Sequence, residues 1–370
     1  MRHFVFSFLL LTSLTVLAQN KRASNISVLL PFSSKYIMEN ANHPKAELGN
    51  LCREYYQGML IALDSFERAK VSIRLSVFDT EDDSMVTVGI TQKTAFKESE
   101  LIIGPVRLGG NKVVSTFSKS NNVYHVSPLM TFSKTKLEDP YWVSANPDLP
   151  SYARILFQEI IKREPGAKIT VIADKSTIGK SIGTAFKQLS ADKKNNIKVV
   201  DYGAGFSITP HTLGNTNNHI IIASTNEQCV TAVLRSIKDT ASVAGLHTYG
   251  LMQWFDLKNV EYALLQRCNV FIVSPFFVDY TQDAVKQFVQ QYRDRFNTEP
   301  SEAAFKGYDQ LIMLGYAVLE RGKKFIEVVE GKTYPMLGTT YYFSKQKEGW
   351  YQNMYLHLLK FEEFSLKKVN

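Results

Sequence analysis

Cysteine is scarce in this chain, and what there is organises nothing. Three cysteines in 370 residues, Cys52, Cys229 and Cys268, leave at least one thiol unpaired and form no close pair, which excludes a disulfide framework and a thiolate metal centre. A Cys229–Cys268 bridge and buried free thiols both stay open. The seven histidines include no HExxH pair, and no calcium loop occurs, so neither a metal site nor any other cofactor is expected. His125, His219 and His247 fall in or beside predicted strands, where a satisfied core imidazole is the expected role. Zinc-finger spacings and aromatic–basic RNA motifs are also missing, and Lys and Arg are spread rather than bunched. The formal net charge of +8 therefore reads as a solvated basic surface, and nucleic acid is not an expected partner. No repeat at solenoid period and no low-complexity linker is present.

The start of the chain, MRHFVFSFLLLTSLTVLAQN, has a basic beginning at Arg2 and His3, an apolar run, and Val16-Leu17-Ala18 before Gln19. This pattern predicts a secretory signal peptide over 1–18, cleaved after Ala18. The apolar run is shorter than the roughly 20 residues of a spanning helix, which disfavours an uncleaved anchor. No later stretch is long and apolar enough to span, and no Cys stands at the cleavage site as a bacterial lipoprotein needs. A periplasmic or secreted location follows. With 45% hydrophobic residues there is ample core, and the length suggests two domains.

Strands and helices alternate almost throughout. Asn25 to Pro31 and Val71 to Phe78 read as strands, and Ser84 to Lys97 as a helix capped near Asp82 or Asp83. Leu101 to Met130 reads as one βαβ unit: LIIGPVRLGG, a helix through Phe117, then NNVYHVSPLM. A second series begins with a helix from Tyr152 to Lys162. Its strands lie at Lys168 to Ala173, Ile197 to Asp201, Asn218 to Ala223, Leu246 to Leu251 and Asn269 to Val273, with helices between them. Two long helices follow Tyr280, and the tail reads as strands at Thr339 to Phe343 and Met354 to Phe361. This order predicts α/β lobes with parallel sheets covered on both faces.

Two sequence matches fail on physical grounds. Asp174 to Ser181 ends in Gly-Lys-Ser like a phosphate-binding loop, but its first glycine position is Asp174, whose carboxylate repels phosphate. Gly179-Lys180-Ser181-Ile182-Gly183 matches G-x-S-x-G, with Asp279 and His357 following in hydrolase order. Four residues separate Asp174 from Gly179, which puts Ser181 inside the first helical turn instead of on a sharp elbow. Small residues packing a helix on a sheet are the better reading, so no catalytic residue is assigned. The acidic turn of Asp79, Glu81, Asp82 and Asp83 reads as a solvated helix start.

What remains is a set of strand ends, and ligands bind at the carboxyl edge of open α/β sheets. The first series offers Pro31-Phe32-Ser33, Asp79-Thr80, Gly104 to Arg107 and Ser127 to Met130. The second offers Asp174 to Thr177, Tyr202-Gly203, Ser224-Thr225 and Met252-Gln253-Trp254. Arg107 supplies a fork suited to a carboxylate, and Trp254 and Phe277 an apolar wall.

The order LLPFSS, YYQGMLIALDSF, VFDTEDD, ELIIGPV, VSPLM, YWVSANPDLPSYA, FFVDY and FVQQYRDRFNTEPSEAAFKGYD resembles type I periplasmic binding proteins of the branched-chain amino acid kind. It is similar above all to exported Bacteroidetes-type versions, some of which carry LysM repeats that this chain lacks. The resemblance covers roughly residues 24 to 365. It implies two Rossmann-like lobes, 24–144 plus 277–336 and 145–276 plus 337–370, joined by three hinge crossings at Tyr141 to Pro147, Phe271 to Asp279 and about Leu337 to Phe343. Ligand capture by hinge closure is implied with them. The carboxylate half-site would fall on Arg107 and on Ser127, Leu129 and Met130, and the amine or side-chain half-site on Ser176, Tyr202 and Gln253. Ser33 completes the expected ligand-binding set at the first strand's end. The family often has an aromatic before the second lobe's first-loop glycine, where this chain has Ile178. It often has an acid where Met252-Gln253-Trp254 stands uncharged. The implied function is a non-enzymatic, exported solute-binding protein whose partners are a small-molecule ligand and a membrane permease. The alternative is a ligand-free regulatory protein of the cell envelope, such as a cell-wall synthase activator.

Overall fold

The structure is a computed structural model that describes residues 23–34, 38, 43–129, 139–203, 205–208, 218–238 and 245–369. The predicted signal peptide and Met130 lie outside the described residues. The chain divides into two compact units, one of residues up to Val126 with Phe288–Val328, the other of Ser127–Gln287 with Val329–Asn370.

In chain order the elements begin with β1 (Ser24–Leu30), α1 (Pro44–Arg68), β2 (Ile73–Asp79), α2 (Ser84–Thr91), α3 (Thr94–Lys97), β3 (Leu101–Ile103), α4 (Leu108–Asn121) and β4 (His125–Ser127). There follow β5 (Trp142–Ser144), α5 (Leu149–Arg163), β6 (Lys168–Ala173), α6 (Thr177–Ser190), β7 (Ile197–Asp201), β8 (Asn218–Ala223), α7 (Glu227–Lys238), β9 (Leu246–Leu251), α8 (Tyr262–Arg267) and β10 (Val270–Ser274). The last are α9 (Asp283–Phe296), α10 (Glu302–Arg321), α11 (Ile326–Val329), β11 (Thr333–Pro335), β12 (Thr340–Lys345), β13 (Tyr351–Asn353), β14 (His357–Glu362) and β15 (Ser365–Lys368).

In the first unit the strand order is β4-β3-β1-β2, all parallel, with Val28 in register with both Val77 and Ile103. Every residue of β1 is buried, as its continuous apolar run predicts for a central parallel strand. Since the strands run one way, their carboxyl ends open on one edge. Helices α1 and α10 pack backbone to backbone. A Cβ at Gly58 would stand 1.8 Å from the Ala304 carbonyl oxygen, and one at Gly307 would stand 1.9 Å from that of Tyr55. The contact is closed by the Tyr55 hydroxyl, which donates to Gln310 Oε1 at 2.7 Å.

The single helix expected over Ser84 to Lys97 is broken, because Lys93 adopts extended backbone between α2 and α3. The run Val86-Thr87-Val88, followed by Ile90 and Thr91, is β-branched at five positions in six and sustains helix poorly.

In the second unit a seven-stranded sheet runs β15-β14-β10-β9-β8-β6-β7. The strands β7, β6, β8, β9 and β10 are parallel, as expected from their alternation with helices. The tail departs from that pattern: β14 runs antiparallel to β10, with Ile272 opposite Leu359, and β15 folds back on β14 as a hairpin. A further strand group, β11-β12-β13-β5, pairs antiparallel except for β13 on β5. The core lies under both faces of the large sheet, with Ile172, Ile220 and Ile272 meeting Phe186, Val233 and Leu265 from the helices. Among the described residues no helix is long and apolar enough to cross a membrane.

Candidate functional site

At the carboxyl edge of the first unit, the strand ends are tied together before any ligand is considered. Asp79, the last residue of β2, accepts hydrogen bonds from the backbone N–H of Phe32 at 3.0 Å and of Glu81 at 2.8 Å. Asp83 caps α2 by accepting from Met85 N and Val86 N. On the next strand, Gly104 sits at φ +100°, where a Cβ would strike the Leu29 carbonyl oxygen at 2.0 Å, so only glycine brings β3 this close to β1. Asn111 fixes the following turn, its Nδ2 donating to the carbonyls of Pro105 and Arg107.

These turns enclose a cavity of about 200 Å³ whose lining includes Pro31, Thr80, Asp82, Ser84, Arg107 and Gly110. Arg107 is the N-cap residue of α4 and is largely exposed. Its Nε stands 3.9 Å from Asp82 Oδ2. The cavity thus offers a guanidinium at a helix N-terminus, which favours an anion, and a carboxylate facing it, which favours a cation. Ser33 ends the same turn of chain, buried, at φ +51°, with no hydrogen-bond partner for its hydroxyl among the described residues. Ser127 is buried in β4 and Leu129 half-buried just after it.

In the second unit the carboxyl edge is organised by Asp174, at the end of β6. Its Oδ1 accepts from the backbone N–H of Ser176 at 3.0 Å and from the Ser176 hydroxyl, and its Oδ2 accepts from the Ser224 hydroxyl at 2.6 Å. Ser176 is the N-cap of α6, accepting from Gly179 N at 3.0 Å, so its hydroxyl is engaged on both sides. Trp254 is fully buried, and its Nε1 donates to the Ser224 carbonyl at 2.8 Å. It packs flat on Gly250, where a Cβ would stand 2.3 Å from the indole. Gln253, on the short 3-10 turn Met252–Asp256, is exposed. Tyr202 is half-buried with its ring 5.7 Å from Phe206, and burial raises its hydroxyl pKa. The structure therefore brings Ser176 and Trp254 to one strand-end network around Asp174 and Ser224. Phe277 stands on the connector after β10, its ring 6.3 Å from His357.

Asp82 and Asp174 are carboxylates that sequence reasoning named without giving either a role in the site. Asp82 was hidden in a run of acids in which Asp79 ties the turn and Asp83 caps α2, and Asp174 looked like the flaw in a phosphate loop. The signal for Asp174 was present: an acid ending a buried strand with serine two residues on marks an Asx turn leading into a helix cap.

Ser181 lies in the second turn of α6 instead of the first, because the helix begins at Thr177. Gly183 permits close packing there, since its Cβ would meet that of Ala173 at 3.0 Å. Asp279 gives its carboxylate to Thr281 and Gln282. His219 bonds Tyr249 at 2.9 Å and Glu164 at 3.0 Å, the satisfied imidazole expected of a strand position, and His125 Nδ1 meets the Ser118 hydroxyl at 3.0 Å. Cys52, Cys229 and Cys268 are free and buried. Among the described residues no cluster of three or more His, Cys, Asp or Glu is arranged to hold a metal.

A family model described as periplasmic binding protein matches residues 50–360, most of the chain. No curated protein matches it closely. Among solved structures, a putative branched-chain amino acid ABC transporter protein from Rhodospirillum rubrum is 15% identical and aligns over 94% of this chain and 100% of its own, with TM-score 0.67. A substrate-binding protein of an ABC transporter from Desulfitobacterium hafniense, in complex with Leu, is 15% identical over 94% and 100%, with TM-score 0.56. Full-length LpoA from Haemophilus influenzae is 14% identical over 96% of this chain and 61% of its own, with TM-score 0.62. At these identities the likeness is one of fold, and it agrees with the two α/β units and their mostly parallel sheets. By the family match and the fold together, the chain belongs to the periplasmic binding protein family, in its type I form.

Proposed function

We propose that this protein is an exported, non-enzymatic solute-binding protein that captures a small polar ligand, an amino acid or a peptide fragment, in an interlobe cleft and presents it to a membrane permease. The observation that carries this reading is the cavity at the first unit's carboxyl edge. There the Arg107 guanidinium and the Asp82 carboxylate, 3.9 Å apart, line one cavity of about 200 Å³ and offer a zwitterion a partner for each of its charges. Related folds in complex with Leu support the same ligand class. Ser33, Ser127, Leu129 and Met130 extend this half-site in the proposal. Tyr202, Gln253 and Phe277 are assigned to the second, with Ser176 and Trp254 supporting it from behind through Asp174 and Ser224. Lobes at 24–144 plus 277–336 and 145–276 plus 337–370, closing on three crossings, belong to the same proposal.

The test is thermal unfolding against a panel of amino acids, short peptides and carboxylates. A ligand that binds only the native state raises the midpoint, by about 2.7 kcal/mol of stability at a hundredfold excess over its dissociation constant. The likeness to LpoA favours a second reading, an envelope interaction protein with no small ligand. A flat response across the panel, with specific recovery of an envelope protein by the immobilised chain, would establish that reading instead.

A further inference from the structure

The second unit carries an open groove of about 400 Å³ that meets the proposed ligand half-sites only at Phe277. Three pieces of chain form it: the connector Phe277–Tyr280 after β10, the short stretch from Phe255 to Tyr262, and the tip of the β14–β15 hairpin. Its floor is Phe361, 3% exposed, with the rings of Phe255 and Tyr262 at 5.5 and 5.8 Å and that of Phe364 edge-on at 6.5 Å. Its walls stand in solvent: Phe364 is 64% exposed, Tyr280 61% and Tyr262 48%. Aromatic rings in this number are normally buried, and a contiguous exposed set marks a binding surface.

Charge decides what would bind. Among the described residues that line the groove, Asp279 is the one carboxylate, and no Lys, Arg or His stands beside it in the lining. Hydrogen bonds from the Thr281 hydroxyl at 2.6 Å and the Thr281 N–H at 3.0 Å, and one from Gln282, hold its carboxyl below the ordinary range and keep it ionised. The nearby Lys286 is engaged by Asp283 at 3.2 Å. Aromatic faces carry negative quadrupoles, and a fixed carboxylate among them adds a full negative charge. We infer that this aromatic groove binds an organic cation of the alkylammonium class, its apolar substituents against the Phe361 floor and its charge toward Asp279. The groove shares no residue with the Arg107 cavity and only Phe277 with the second half-site, and it takes a cation in place of the zwitterion, so the inference goes beyond the proposed function.

The experiment is saturation-transfer NMR on the full chain with choline and with its neutral isostere 3,3-dimethylbutanol. Choline should bind at least about tenfold more tightly than the isostere, a difference of the size a desolvated cation–π contact provides. Tyr280→Ala and Asp279→Asn should each weaken choline by about fivefold or more. The exposed Tyr280 should leave the unfolding midpoint unchanged, and Asn keeps an acceptor for the Thr281 bonds, so affinity is compared at a temperature well below both midpoints. Flotation with phosphatidylcholine vesicles separates the two sources of such a cation. Binding to vesicles assigns a lipid head group, and binding of soluble choline alone assigns a free cation. Equal affinity for the isostere, or choline binding untouched by both substitutions, would overturn the inference.

Discussion

Arg107 Nε lies 3.9 Å from Asp82 Oδ2, with the guanidinium half in solvent and the carboxylate more covered. A pair this long and this exposed contributes at most about 1 kcal/mol to stability. Its placement in a cavity wall is better explained by a ligand than by the fold. Arg107→Ala should therefore leave the midpoint of urea unfolding nearly unchanged while removing most of any ligand-induced stabilisation. A large loss of intrinsic stability in that variant would contradict the assignment.

The helix pair of the first unit makes the opposite prediction. Gly58 and Gly307 each face a backbone carbonyl at under 2 Å from where a Cβ would lie, and a carbonyl cannot swing aside as a flexible side chain can. Gly58→Ala and Gly307→Ala should each cost about 3 kcal/mol, the upper end for overpacking. Gly89 in α2 has nothing within 4 Å of its Cβ position, so Gly89→Ala should stabilise by about 0.5–1 kcal/mol. Urea denaturation of the three variants checks both signs.

Trp254 separates a wall from a core. Its indole N–H satisfies the Ser224 carbonyl, and its ring is fully buried against Gly250. Trp254→Phe should lower stability by about 1–3 kcal/mol by leaving that carbonyl unpaired. Ligand affinity measured well below the midpoint should change less than in Arg107→Ala.

Stability should fall in mild acid. Burial, reinforced by Lys368, pushes the His357 imidazole down to about 4, and burial lowers that of His247 as well. Between the unfolded value near 6.5 and the folded one, the unfolded chain binds more protons, so stability present above about pH 6.5 is lost as pH falls toward 4. For His357 the loss is on the order of 3 kcal/mol. His357→Gln should flatten the slope in that window, as read by urea midpoints from pH 7 to 4.

The three thiols should be silent in the native state. Burial pushes Cys52 and Cys268 up to about 12 and Cys229 to about 11, so little thiolate exists and none is accessible. A thiol reagent should label none of them in buffer and all three in urea.

Much of this architecture was legible in the chain because period and length carry it. Continuous runs such as SVLL and TVIA mark buried parallel strands, and Tyr55, Met59, Ala62 and Phe66 mark a helical face. The antiparallel tail was not legible. The runs at Thr339 and Met354 read as strands whichever way they pair, and direction is set by turns whose partners are distant in sequence. The break at Lys93 was concealed by an apolar pattern that continues across it. Strand ends pointed to the candidate site, yet Ser176 and Trp254 were chosen for their type and position. What a hydroxyl or an indole N–H bonds, here Asp174 and Ser224, depends on a neighbouring strand end that no single segment reveals.

The most direct test of solute binding is titration calorimetry of the full chain and of Arg107→Ala with the amino acids. The account predicts saturable binding of one molecule per chain for at least one of them, lost or weakened at least about tenfold in the variant. Heats of dilution alone across the whole set, for a chain that unfolds cooperatively and is therefore folded, would contradict it.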